Sequence, residues 1–392
     1  MEWHLACWTK ELEFVDPQVR LIEERDVDAI ARLFRQNYGS GYLATDVYDG
    51  TWVKRCVYGD AVIGAVIEDE RRVVGTGALL MNLGDHNDRS AELARLVVDP
   101  AAAGRGLGSR LVKALVTAAD ESFDYGESHA RTAHLHSQHM LEECGFLCIG
   151  FLPQYVRGEH LLPYARVFSG SATFRRPMPP EVIPEALPLM QYVLGQLGWS
   201  APVNGSLADP WPTDDEYSVV GLDARAIDAL LAFRVGDTSP VLLGNISIER
   251  GMPVLRSRKA TYLVALDREG RPAGALGMQT DAVAGLTRAL ELIGDDPRVL
   301  GFLCREFERR ADSPLLEATV AVSNPRAQRT LWSLGFRPAA YAPAVSFQGS
   351  CRTDGLRMVK IREGWRDVDV SATRLTANGE KALEIVRAAF LA

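Results

Sequence analysis

The stretch "EATVAVSNPRAQRTLWSLGFRPAAY", Glu317 to Tyr341, has the same layout as "RTAHLHSQHMLEECGFLCIGF", Arg131 to Phe151. Each reads as a short strand feeding a helix, then a Gly-Phe pair and a further strand. Punctuation that occurs twice in the same order restricts the chain to two copies of one supersecondary plan. A hairpin stands before each copy. "DAVIGAVIEDERRVVGTGALLM" holds two β-branched runs around a charged turn at Asp69 to Arg72, and "YLVALDREGRPAGALGMQTD" repeats it with the turn at "DREGRP". In front of the first hairpin, Val19, Leu21 and Ile22 suit a strand, Asp26 an N-cap, and Ile30, Leu33 and Phe34 fall at helical spacing. The order strand, helix, hairpin, strand, glycine turn, helix, strand, helix, strand predicts an α/β fold of the α+β kind, with helices packed on a central mixed β-sheet.

At 392 residues the chain has room for two such cores. The expected division is an N-terminal extension over 1–18, a first domain over 19–170, a Pro/Gly-rich connecting segment over 171–216 and a second domain over 217–392 with a C-terminal helix. A short helix is expected near Leu187 to Leu197. Between the second hairpin and its strand, "AVAGLTRALELIGDDPRVLGFLCREFERRADSPLLE" reads as helix, Gly-Asp-Asp turn and helix.

The first copy has something different at that place. "RLVVDPAAAGRGLGSRLVKAL" runs from an apolar strand through Asp99-Pro100 and Gly104, Gly106 and Gly108 into a helix. Consecutive backbone N–H groups at the positive end of a helix make an anion site, and glycines let a pyrophosphate approach the main chain. The spacing is G-x-G-x-G, neither the dinucleotide fingerprint nor a P-loop.

With these residues the chain resembles the GCN5-related N-acetyltransferase (GNAT) superfamily. The resemblance runs through Glu92, Leu96, Val98, Pro100, Gly104, Gly106, Leu107, Gly108 and Leu111, and through the second signature "HLHSQHMLEECGF", whose counterpart is "NPRAQRTLWSLGF". Ala103 stands where the family has Arg or Gln, with Arg105 or Arg110 as other sources of positive charge. The resemblance implies two tandem GNAT-like domains, the second degenerate, and acetyl-CoA or another acyl-CoA as co-substrate. It places the pyrophosphate on the amides of Gly104, Arg105, Gly106, Leu107, Gly108 and Ser109, and the pantetheine arm along Leu96, Val97 and Val98. The implied reaction is direct acyl transfer to the amine of a small-molecule acceptor. Transfer to a hydroxyl, thiol or carrier, aminoacyl-tRNA-dependent transfer, and acyl-CoA binding without turnover remain as alternatives.

Such a transfer needs a base for the ammonium and an acid for the leaving thiolate. Glu92, on the strand leading to the glycine turn, is the first candidate base. His134 and His136, two apart and on one face of the expected strand, are the next. Leu141 occupies the family's usual Tyr position, which leaves Tyr155, Tyr38 and Tyr42 as candidate acids. Tyr38, Tyr42, Tyr48 and Trp52 either line a pocket or cover the core. His134, His136 and His139 lack the acidic or cysteine ligand that would complete a zinc site, so no metal is expected. Cys144 and Cys148 read as packing thiols beside the Gly-Phe turn.

Composition narrows the setting. With 47% hydrophobic and 24% charged residues the chain has the profile of a soluble globular protein, and no stretch is long and apolar enough for a membrane span. Acidic residues where a secretory signal would be basic and apolar, and six scattered cysteines, point to the cytoplasm. A formal charge of −8 argues against nucleic acid as a partner and leaves homo-oligomerisation open.

Overall fold

Four antiparallel neighbours followed by a parallel one set the plan of the first sheet. In the computed structural model, β1 (Gln18–Leu21) leads through a turn at Glu24–Asp26 into α1 (Val27–Tyr38) and α2 (Thr51–Tyr58). Then come the hairpin strands β2 (Val62–Asp69) and β3 (Arg72–Met81), β4 (Ser90–Val98), α3 (Leu107–Ala119), β5 (Tyr125–Arg131) and α4 (His136–Glu143). The series closes with β6 (Leu147–Cys148), β7 (Leu152–Val156) and β8 (Glu159–Val167). The sheet order is β1-β2-β3-β4-β5-β8-β6, with β7 pairing β8. The hairpin turns at the expected place: Glu70 and Arg71 both take positive φ, +48° and +63°, the geometry of a tight two-residue turn whose twist suits the flanking strands.

Helices cover both faces. Ala78 of β3 belongs to the cluster formed with Ile30, Leu33 and Phe34 of α1 and Trp52 and Val53 of α2. Its neighbour Gly77 points the other way, where an added Cβ would meet Leu111 and Leu115 of α3.

After α5 (Ser171–Phe174) and the expected short helix, α6 (Leu187–Gln196), the second sheet repeats the succession. It contains β9 (Ser218–Gly221), β10 (Thr261–Leu266), β11 (Pro272–Asp281), β12 (Leu286–Ile293), α7 (Pro297–Arg310), β13 (Leu315–Ala321), α8 (Pro325–Ser333), β14 (Arg337–Gln348) and β15 (Cys351–Ile361). The C-terminal helix α9 (Ala377–Leu391) follows. The order is β9-β10-β11-β12-β13-β15-β14, and the parallel pair is again the fourth with the fifth strand. One expectation is corrected here. "LTRALELI", within the first of the two expected helices, is β12, paired to both β11 and β13 and buried along nearly its whole length. Burial between two strands overrides helix propensity worth a few tenths of a kcal/mol per residue.

Both Gly-Phe endings are the same helix stop. Gly145 and Gly335 take φ +77° and +91°. Phe146 N–H reaches back to the Leu141 carbonyl and Phe336 N–H to that of Leu331, each at 3.0 Å, a Schellman pattern. Both phenylalanines are buried.

The described residues are 17–59, 61–81, 88–119, 122–168, 171–175, 181–213, 217–223, 226, 241–243, 260–294, 296–348, 350–365 and 368–392. Most of the N-terminal extension, Cys7 and parts of the connecting segment therefore lie outside them. The chain separates into two compact units: residues up to Ala130 with Leu135–Leu147 and Tyr164–Thr173, and Arg131–His134 with Cys148–Pro163 and Phe174–Ala392. No helix among the described residues is long and apolar enough to cross a membrane.

Candidate functional site

β4 is paired along its length on one side only. Toward β3 the ladder runs from Met81–Ala91 to Gly75–Val98, but Ala78 faces Ala94 and Thr76 faces Val97, so Arg95 and Leu96 together oppose Gly77. This is a β-bulge, and Arg95 takes φ +56° within it. Its guanidinium lies over the Trp52 ring, 4.1 Å from the centroid, and pairs with Asp46 at 3.0 Å. Toward β5 the parallel ladder has the rungs Ser90–Tyr125, Ala91–Gly126 and Glu92–Glu127, and stops there. The Ser128 hydroxyl donates to the Leu93 carbonyl at 2.8 Å just beyond the last rung. β4 nonetheless continues to Val98, so the stretch holding Leu96, Val97 and Val98 has a main-chain edge to which an extended ligand can add as a strand.

The glycine turn follows that edge. Asp99 accepts from Ala101 N–H at 2.9 Å and from Arg72 at 2.7 Å, fixing the exit of the strand. Gly104 and Gly106 take φ +77° and +72°, and a Cβ on either would meet nothing within 4 Å. Backbone conformation requires these two glycines, and the space above them is open. Gly108 differs: its Cβ would come within 3.1 Å of Met140 Sδ, so it serves the packing of α3 on α4. Leu107, Gly108 and Ser109 form the first turn of α3, whose N–H groups have no acceptor within the helix. Arg105 is half-exposed and paired to Asp69 at 2.5 Å. The Ser109 hydroxyl donates to Glu143 at 3.1 Å. An open, amide-lined turn at a helix N-terminus, beyond the point where the β4–β5 ladder stops, suits a pyrophosphate on an extended arm, with the Val98 carbonyl at that edge accepting from Asn37 at 3.2 Å.

Where the ladder stops, the structure gathers three side chains. Glu92 and Glu127 face each other across the last rung, and His129 lies two residues along β5 on the same face. His129 Nε2 is 3.1 Å from Glu127 Oε1, and its Nδ1 is 3.8 Å from Glu92 Oε1. Two facing carboxylates repel, so this arrangement favours a cation between or upon them. Glu127 and His129 were not singled out by the sequence reading. The alternation Tyr125, Glu127, His129, Arg131 carries the signal: four large side chains at period two mark a strand face.

His134 and His136 are placed otherwise than expected. The strand is "YGESHAR" and ends at Arg131; His134 lies in the following turn and His136 opens α4, both exposed, so they share no strand face. The matched segment "NPRAQRTLWSLGF" starts its helix one position earlier. Its Asn324 caps α8 by accepting from Ala327 N–H at 3.1 Å, whereas α4, with His134 at the matched position, has no side-chain cap.

Tyr155 groups with the second unit, where it is buried, donates to Glu317 Oε2 at 2.5 Å and accepts from Arg288 at 3.2 Å. Burial pushes its hydroxyl well above the usual tyrosine range. Leu141 is buried and offers no donor. Tyr38 and Tyr42 stack around Phe34, with centroids 6.2 and 4.7 Å away, and with Tyr48 they cover the core. Cys144 and Cys148 are buried thiols, and burial raises the pKa of Cys144. Among the described residues no three His, Cys, Asp or Glu side chains are placed to hold a metal ion.

The comparison with known families gives a match over residues 27–146, to the Acetyltransferase (GNAT) family. Residues 27–146 are a GNAT acetyltransferase domain. This family comprises acyl-CoA-dependent transferases. Solved structures similar to the chain include a spermidine N-acetyltransferase from Vibrio cholerae in complex with CoA and spermine, 20% identical, covering 39% of this chain and 95% of that one with a TM-score of 0.34. A ribosomal-protein-S5-alanine acetyltransferase from Vibrio fischeri is 18% identical over 40% of this chain and 96% of that one, TM-score 0.36. A ribosomal-protein-alanine N-acetyltransferase from Brucella melitensis is 22% identical over 38% and 99%, TM-score 0.35. No curated protein matches the chain.

Proposed function

We propose that this protein is an N-acyltransferase whose GNAT domain binds acetyl-CoA or another acyl-CoA and transfers the acyl group directly to the amine of a small acceptor. The observation that carries this reading is the ladder that stops at Glu92–Glu127 while β4 runs on into an open glycine turn. Acyl-CoA supplies an activated thioester. The amides from Gly104 to Ser109 hold its pyrophosphate, and the Leu96–Val98 edge aligns its arm toward the carboxylates. Glu92, with a half-exposed side chain, removes a proton from the acceptor ammonium. Facing Glu127, it also gives the acceptor end of the site a preference for cations. No protein acid is assigned to the thiolate: Leu141 has no proton and Tyr155 is committed to Glu317. A thiol with a pKa of about 8.5 is a leaving group that water can protonate. In this reading the second sheet belongs to a degenerate copy of the same fold, with the divisions 19–170 and 217–392.

Gly106→Asp tests the site. Asp tolerates left-handed backbone better than most residues, and its carboxylate would stand where the pyrophosphate charge belongs. Calorimetry with CoA should show at least a tenfold loss of affinity in a variant that remains folded. Unchanged affinity would remove the glycine turn from the site. The buried Leu141 favours a second reading, acyl-CoA binding without turnover; tight CoA binding with no thiol release across amino acids, amino sugars and polyamines would select it.

A further inference from the structure

We propose that Glu127 and His129 form a proton relay behind Glu92, through which the acceptor's proton leaves the site. The proposal rests on the reading of Glu92 as the base and deepens it. A base that is only half-exposed and faces another carboxylate must shed its proton before the next turnover, and the structure provides a carrier beside it.

The geometry sets the direction. His129 Nε2 lies at hydrogen-bond distance from Glu127 Oε1, 3.1 Å. Glu127 carries a well-buried carboxylate, with 12% of its side chain exposed against 45% for Glu92. Accepting at that distance, an ionised Glu127 holds the Nε2–H tautomer, as carboxylates do for histidines that exchange protons. That tautomer leaves the Nδ1 lone pair facing Glu92 Oε1 at 3.8 Å. The gap is too long for a hydrogen bond, and a side-chain torsion of the more exposed Glu92 closes it.

In the first step an N–H bond of the acceptor ammonium breaks and an O–H bond forms on Glu92, leaving the amine its lone pair for attack. In the second, that O–H bond breaks and an N–H bond forms on His129 Nδ1. Glu92 returns to carboxylate, and the imidazolium stands between two negative groups, which stabilise it. His129 keeps 22% of its side chain exposed, an exit through which Nδ1 passes the proton to water. The protein ends as it began, and one proton has moved from ammonium to solvent. Glu92 is the catalytic residue here; Glu127 is a positioning residue, and His129 acts through Glu92.

The test uses the full chain, acetyl-CoA, and the amine giving most thiol release in a panel of amino acids, amino sugars and polyamines. His129→Ala should keep CoA affinity and lose about 10- to 100-fold in kcat/KM, within the usual share of proton-transfer catalysis. Added imidazole should restore part of that loss, which a structural role would not allow. His129→Gln, which fills the space without titrating, should show the same loss without rescue, and it stands in if the alanine variant does not fold. Glu92→Gln/His129→Ala should be no slower than Glu92→Gln alone, because the two act in series. Turnover within about threefold of wild type for the folded His129 variants, or losses that multiply in the double variant, overturns the relay. Wild-type turnover in Glu92→Gln overturns the reading beneath it instead.

Discussion

Glu127 in the first sheet and Glu317 in the second lie at the same distance before the start of their Gly-Phe signatures, and each faces one residue on the neighbouring parallel strand. For Glu127 that residue is another carboxylate, Glu92; for Glu317 it is a guanidinium, Arg288. The first is a like-charge rung where its ladder ends, with His129 Nε2 3.1 Å from Glu127. The second is closed: Arg288 and Glu317 are 3.3 Å apart, and Tyr155 donates to the same carboxylate. The helices that follow differ likewise. α3 is preceded by Gly104 and Gly106 with clear space above them, whereas Asp296 caps α7 by accepting from Arg298 N–H at 2.8 Å, placing a carboxylate at that helix start. On one strand plan, a few side chains at the parallel rung and the helix start thus decide whether like or opposite charges face each other and whether a carboxylate caps the helix.

The sharpest way to break this contrast is to change both rungs. Glu92→Gln should keep CoA binding and lower turnover by roughly two to four orders of magnitude, while Arg288→Met, measured in the same thiol-release assay, should leave turnover per folded molecule unchanged. A large loss from Arg288→Met would put chemistry in the second rung as well. Next in size is Glu317→Gln, which leaves Arg288 and the Tyr155 hydroxyl facing a weaker acceptor. Urea unfolding should register a loss of about 3 kcal/mol, at the low end for breaking a buried pair because Arg288 keeps about a third of its surface in water. Tyr155→Phe removes one hydrogen bond to the same carboxylate and should cost about 1.5 kcal/mol, with no change in thiol release. If turnover fell instead, Tyr155 would be more than a plug.

The smallest effect is in acid. Arg309, then Arg310, hold the Glu306 carboxyl of α7 down to about 2 from its ordinary 4.5. A carboxyl depressed by folding contributes stability that is fully present above the unfolded value and is lost as pH falls through the folded one. The stability gap between wild type and Glu306→Gln should thus be constant above pH 4.5 and shrink toward pH 2. The exposed arginines keep it near 1 kcal/mol or less. A gap that did not narrow would mean the arginines do not hold the carboxyl.

Turns and helix stops were legible in the sequence because single residues decide them. Asp69–Arg72, the "DREGRP" turn and Gly145-Phe146 with Gly335-Phe336 stand where the pattern put them. β12 was not legible, since "LTRALELI" has helical residues and only its neighbours on either side make it a strand. At the site, the glycine turn was read from Gly104 and Gly106, but Gly108 turned out to be a packing glycine. The shared strand face of His134 and His136 was not legible because β5 ends at Arg131, before either of them, while the nearness of His129 to Glu92 depends on the pairing of two strands far apart in sequence. Arg95 went unnoticed for a similar reason: its left-handed backbone exists only because a bulge sets it opposite Gly77.

The interleaving of the two units along the chain has a consequence for how the protein is made. The backbone changes unit after Ala130, His134, Leu147, Pro163 and Thr173, so the second unit owns two pieces that leave the ribosome before the first unit is finished. Phe151 and Tyr155 emerge early, yet Phe151 N–H bonds to the Ala339 carbonyl and the Tyr155 hydroxyl to Glu317, 162 residues downstream. Until those partners are synthesised, Phe151 and Tyr155, both buried in the finished protein, lack the groups they bond to. Such long-range closure slows folding and lengthens the time during which apolar strands are open to wrong partners. The nascent chain is accordingly most exposed to aggregation in the interval between translation of residue 163 and that of β14.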